Sequence, residues 1–270
     1  MCGTATADVQ SANVVGYKTV QCTGNKWYMI AADFQTVGNS TAQKTIKINE
    51  FIKGDFYGDP DSIDANCPIM QIWDASGSVY ATWHFYANSS GKTSQQKHDF
   101  WGIGNDKDKY EEFMAATINL GQAVWFKFKE DCTITVAGQV VEVSTSTVDV
   151  KPGEWNMIAN PWPIALKINT GIDWAAQVEA GNMTGDADSI DAKCPIIQVW
   201  DPVNDVYATY HFYANSSGKT SQQKHNFWGI GNDKDKYEEF MAATVPVGYG
   251  FWFKYGQQPT DKPMTLTFTK

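Results

Sequence analysis

The residues best suited to ligand chemistry lie on one strand-like segment and the polar stretch after it. From Val79 to Tyr86, alternate side chains of an extended strand point to opposite faces. Val79, Ala81, Trp83 and Phe85 share one face, and Tyr80, Thr82, His84 and Tyr86 the other. The second set carries aromatic rings with polar tips, which suit a surface that stacks on sugar rings and hydrogen-bonds their hydroxyls. His98 and Trp101 follow and are expected to join that face. The same set recurs as Tyr207, His211, Tyr213, His225 and Trp228. The competing expectation is that these rings only cover the second sheet of a sandwich, with the imidazoles satisfied by backbone carbonyls.

Metal chemistry has a narrower basis. No His-x-x-x-His or Cys-x-x-Cys spacing exists, which argues against a transition-metal site. Calcium accepts carboxylates and carbonyls from irregular loops. Its candidates are Asp59, Asp61 and Asp64, repeated as Asp186, Asp188 and Asp191, although the spacing is not that of an EF-hand and an Asx-turn loop explains it equally well. A second acidic group, Asn105, Asp106 and Asp108, recurs as Asn232, Asp233 and Asp235 and reads as helix capping.

Several catalytic patterns fail. Ser90-Gly91-Lys92-Thr93 resembles the end of a phosphate loop, but Tyr86 stands where the earlier glycine belongs. Gly102-Ile103-Gly104 lacks a third glycine. Glu111 and Glu112 are sequential and cannot straddle a glycosidic bond. No Ser or Cys stands in a nucleophile elbow. An active site assembled from distant residues is still compatible with the sequence.

These residues sit in a chain that repeats itself. The stretch from Val79 to Thr117 returns from Val206 to Thr244 with two changes, Trp83/Tyr210 and Asp99/Asn226. Flanking positions align with more drift: Asp61 and Asp188 are 127 residues apart, as are Trp125 and Trp252. A period of that length is domain-sized. The expected layout is an N-terminal segment over 1–12, a first β-domain over 13–143 and its repeat over 144–270. Ala5-Thr6-Ala7 has the small-x-small form of a signal-peptidase site, so 1–12 reads either as the remnant of an export signal or as a flexible terminus. Inside the identical block, 87–97 contains no large apolar residue and reads as a solvated loop. Its identity implies either a shared ligand for both loops or recent copying of the gene segment.

The fold class expected is all-β, with two tandem sandwich or jelly-roll-like domains. Trp27–Phe34, Ile69–Trp73, Val79–Tyr86, Ala123–Phe128 and Thr133–Val143 are short, rich in β-branched and aromatic residues, and bounded by turn residues. A β-trefoil or open barrel is the architectural alternative. The clearest helix runs from Asp108 to Ala116, with Asp108 and Glu111 as a capping box. Ile48–Lys53 and Ile172–Val178 read as single turns.

Cysteine usage adds one link. Cys67 and Cys194 are equivalent, whereas Cys22 and Cys132 are replaced in the second repeat by Val150 and Met264. Two cysteines lost together are expected to be bonded to each other, and a Cys22–Cys132 disulfide fits an oxidising compartment. Two unrelated buried thiols are the alternative. Cys2 lacks the context of a lipidated cysteine.

Charge limits the partners. The formal charge is −9, and all 21 basic residues are lysine. Nucleic acid and anionic lipid are therefore poor partners. No apolar run approaches membrane-spanning length. The sequence points to an exported or surface-displayed, bacterial-type, non-catalytic recognition protein, with glycan as the leading ligand. A self-assembling subunit of a surface layer or filament, contacting neighbouring copies, is the second expectation. A hydrolase with a site between the units is the third.

Overall fold

A computed structural model describes residues 15–38, 44–58, 67–87, 99–104, 109–183, 194–213, 226–231, 236–256 and 262–270. The N-terminal segment 1–12, the loop 88–98 and its counterpart 214–225 lie outside the described residues. So do both acidic clusters, including all six calcium candidates from Asp59 to Asp191, and the capping residue Asp108.

The protein is predominantly β, with antiparallel sheets and a five-stranded sheet of the same strand order in each repeat. In the first repeat, β2 (Trp27–Ala31), β9 (Ala123–Lys127), β5 (Ile69–Asp74), β6 (Val79–Tyr86) and β7 (Phe100–Gly102) form a five-stranded sheet in that spatial order. In the second repeat, β12 (Trp155–Ala159), β18 (Gly250–Lys254), β14 (Ile196–Asp201), β15 (Val206–Tyr213) and β16 (Phe227–Gly229) do the same. Opposite the first of these lies a sheet of β1 (Val15–Cys22), β10 (Cys132–Gln139) and β4 (Ile52–Gly54). Its second-repeat counterpart is the pair β11 (Thr145–Val150) and β19 (Met264–Thr269). Side chains from both sheets of the first repeat meet in one core, with Val20, Ile134 and Ile52 packing with Tyr28, Phe126 and Trp83. A second core follows the same plan around Trp174, Trp228 and Phe253.

Local chemistry explains the joins. In the β5–β6 hairpin, the Asp74 carboxylate accepts from Ser76 N–H and from Ser76 Oγ, an Asx-turn that reverses the chain. Asp201 does the same for Val203 and Asn204 in the β14–β15 hairpin. The helix expected near Asp108 is present as α2 (Tyr110–Ala115), but Lys109 holds the cap position and makes no side-chain bond there. The single turns expected near Ile48 and Ile172 are α1 (Ile48–Phe51) and α3 (Trp174–Glu179).

The second face of each five-stranded sheet meets the other repeat. Trp27, Met29 and Ala31 of β2 and Trp125 of β9 join Met157, Ala159 and Trp252 in a third apolar cluster, flanked by Trp73, Trp155 and Trp200. The contacts come in twofold-related pairs. Trp73 Nε1 donates to Trp155 O at 2.5 Å, and Trp200 Nε1 donates to Trp27 O at 2.8 Å. Ala31 N donates to Gly248 O at 2.9 Å, and Ala159 N donates to Gly121 O at 2.7 Å. Trp73 meets Trp252 edge-on with ring centroids 5.5 Å apart, and Trp200 meets Trp125 likewise at 5.8 Å. At the rim, Lys26 pairs with Asp205 while the equivalent positions, Glu154 and Ser78, hydrogen-bond.

This arrangement constrains the residues nearest the axis. A Cβ on Gly250 would sit 2.1 Å from the Cβ of Ala123, its own counterpart in the first repeat. Two equivalent positions meet there, and only one has room for a methyl group. Gly250→Ala is therefore expected to cost about 1–3 kcal/mol by overpacking. Adding Ala123→Gly should restore most of that loss. Urea denaturation of the two variants checks this, and a neutral Gly250→Ala would mean that the repeats do not approach as described.

Candidate functional site

The aromatic–polar face expected from the sequence does not assemble as one surface. Trp101 pairs across the strands with Phe85 and Tyr86 with Phe100, so the β6–β7 register turns Trp101 to the core side. Trp101 is 1% exposed, packed on Phe56, Phe85 and Phe126, and Trp228 is equally enclosed by Trp174, Phe212 and Phe253. Both are core residues, which corrects their assignment to a ligand face. Tyr86 and Tyr213 are corrected too. Each is buried, stacks on Phe100 or Phe227, and donates its hydroxyl to Gly104 O or Gly231 O. In the first repeat the α2 helix covers this side, because Phe113 reaches both Phe100 and Trp83 around the β7 edge.

Tyr80 and Tyr207 lie where the two repeats meet. Their rings pack on Trp73 and Trp200, each at 4.8 Å. Burial raises both phenol pKa values above their ordinary range. His84 and His211 lie mid-strand and half-buried, and their Nδ1 atoms have no hydrogen-bond partner among the described residues. Burial lowers both imidazole pKa values. His98 and His225 lie outside the described residues. Among the described residues no three His, Cys, Asp or Glu side chains converge on a metal-sized space.

Where the repeats meet, the structure offers a different site. Between the β5–β6 hairpin of the first repeat and β11 of the second lies a cleft of about 390 Å³. Half-buried Trp73 supplies its aromatic wall, and Lys44, Asn119, Gln122, Thr147 and Asp149 supply polar groups. A second depression of about 560 Å³, lined by Ser76, Lys151, Glu154 and Thr265, shares Ala75 and Asp149 with the first. The two depressions are neighbours on the same side of the inter-repeat contact.

Its polar groups are held in place locally. Asp149 Oδ1 accepts from Thr265 Oγ1 at 2.6 Å across the β11–β19 pair, and Gln122 Oε1 accepts from Asn119 N at 3.4 Å. Buried Asn156 fixes the turn before β12 by accepting from Lys151 N and donating to Lys151 O and Glu154 O. The twofold-related position is built from larger groups: Tyr249 in place of Gln122, and Lys18 in place of Ser146. Lys18 Nζ sits 2.6 Å from both Asp33 oxygens. Burial pushes the Lys18 ammonium down and the Asp33 carboxyl up, and their mutual attraction opposes both shifts.

No family model and no curated protein matches the chain. Among solved structures, one of peptide-N(4)-(N-acetyl-β-D-glucosaminyl) asparagine amidase aligns over 98% of this chain and 91% of its own, at 11% identity and a TM-score of 0.14. A recombinant peptide:N-glycanase F aligns over 97% and 89%, at 10% identity and a TM-score of 0.13. Neither likeness bears on fold or site.

Sequence reasoning missed the groove because it lies between repeats and its residues come from segments far apart in the chain. One signal was present: Gln122 and Ser146 depart from their counterparts Tyr249 and Lys18, whereas the tryptophans around them recur in both repeats.

The half-buried imidazoles make stability depend on pH. Their folded pKa values lie below the unfolded value near about 6.5, so the unfolded chain takes up protons first as pH falls. Stability held above about pH 6.5 is lost as pH drops through the folded value. Asp33, with its pKa raised, acts in the opposite sense, so the histidine contribution is read as a difference between chains. The His84→Gln/His211→Gln variant should lose less melting temperature than the parent between pH 7 and pH 5. Parallel curves would rule out both histidines as the source.

Proposed function

We propose that this is an exported, non-catalytic glycan-recognising protein of the cell surface or surroundings, and that it binds an oligosaccharide in the groove between its repeats. The supporting observation is the groove itself. It is open, walled by a tryptophan and edged with amide, hydroxyl, carboxylate and ammonium groups, with a second depression beside it. Sugar rings present apolar faces to an indole and equatorial hydroxyls to such polar edges. Two neighbouring depressions suit a chain of sugars better than one compact ligand. The volumes fall in the usual range for small-molecule sites, about 300–1,000 Å³.

The site differs from the one the sequence suggested. It is one groove per chain rather than two matching faces, because the residues lining it have diverged between repeats. Binding should saturate at one equivalent per chain by isothermal titration with the best ligand from a glycan array. Gln122→Ala and Asp149→Asn are each expected to weaken it about 5- to 10-fold, the worth of one hydrogen bond. An array without hits, or variants with unchanged affinity, would overturn the reading.

One observation favours the assembly alternative. Strand β1 lies at the end of its sheet and exposes Val15 and Tyr17, the latter at 76%. Such an edge is a template for strand addition by another molecule. Light scattering over a dilution series tests it: polymers that disappear on Tyr17→Lys support assembly, and a monomer at every concentration excludes it.

A further inference from the structure

Beyond glycan binding, we infer that Cys22 and Cys132 form a redox-active pair that closes, through a cross-strand disulfide, the sheet opposite the inter-repeat face. The register places Cys22 directly across from Cys132 at the last rung of the β1–β10 ladder. Directly opposed residues of antiparallel strands have Cα atoms about 4.5–5.5 Å apart, inside the range of about 4.4–6.8 Å that disulfides span. Both cysteines are thiols in this structure, and they interact with each other. The equivalent rung of the second repeat is Val150 opposite Met264, an apolar pair that no oxidant can link.

The two sulfurs are not equivalent. Cys22 is buried in the core, and burial pushes its thiol up to about 12. Cys132 is partly exposed; burial raises its pKa, and the neighbouring Cys22 thiol acts in the opposite direction. Cys132 is thus the first nucleophile. Its thiolate attacks an exogenous small-molecule disulfide, forming a mixed disulfide and releasing one thiolate. Cys22 then gives up its proton and attacks the Cys132 sulfur, expelling the second thiol. One protein disulfide forms, and the exogenous disulfide is reduced to two thiols.

The bridge closes a long loop and so constrains the unfolded chain strongly. It also lies beside the inter-repeat contact. Tyr249 of the second repeat packs against both cores, and its hydroxyl pKa is raised first by burial and then by Cys22.

The test refolds the full chain from reduced denaturant in a buffer of glutathione and glutathione disulfide, then counts thiols on denatured, unreduced protein. The chain has five cysteines. Three free thiols are expected, with a peptide map joining Cys22 to Cys132 and a melting temperature roughly 5 °C or more above the reduced form. The Cys22→Val/Cys132→Met chain carries the second repeat's own pair, and its melting should not respond to the redox buffer. Five thiols after refolding, a cross-link through Cys2, Cys67 or Cys194, or redox-dependent melting of the double variant would overturn the inference.

Discussion

Everything in this molecule depends on how each five-stranded sheet buries its second face. One face is already committed to the core of its own repeat. The other carries Trp27, Trp73 and Trp125 in the first repeat and Trp155, Trp200 and Trp252 in the second, and a sheet this apolar on both sides cannot leave either open to water. Each repeat solves the problem for the other. Because the two faces derive from one sequence, the contact is isologous: each indole bond and backbone bridge is matched by its twofold mate. Each edge-to-face pair adds about 0.5–1.5 kcal/mol beyond its burial, so the cluster welds the repeats more tightly than a polar inter-domain contact would.

The sequence carries much of this fold and little of the site. Strands β5, β6, β9 and β10 stand close to the expected segments, because alternation and bounding turn residues are local signals. Short elements such as β3 (Thr45–Lys47) and β8 (Thr117–Asn119) escaped notice, since three residues are too few to show a period. The period-2 sorting of β6 was sound, and Tyr80 and His84 do lie opposite Trp83. It could not say what covers the second face. The face of Trp101 depends on the register between β6 and β7, which nothing local in the sequence fixes.

The groove illustrates why a duplicated interface does not stay symmetric. At the axis, an alanine at both positions is forbidden, since Ala123 and residue 250 cannot both carry a methyl group. Away from it, symmetry is broken as a set. Lys18 and Asp33 form a buried ion pair in which neither charge is tolerable alone, because an unpaired charge in that setting costs several kcal/mol. A change at one position therefore demands a change at the other, and the second repeat has both: Ser146 and Pro161.

Tyr249 belongs to the same set. Beside it, Lys18 also bonds Ala31 O and reaches toward Gly248 O, so the cation ties the first repeat's strands to the second repeat's turn. At the mate position these three become Ser146, Pro161 and Gln122, and the buried ion pair is gone, while Lys44 of the first repeat donates to Ser146 Oγ at 3.5 Å. The side with the ion pair fixes the two repeats together. The other side lacks that buried pair, and it is there that polar groups line an open groove beside Trp73. Duplication thus supplies two equivalent positions, and the buried pair fills one of them while the groove opens at the other.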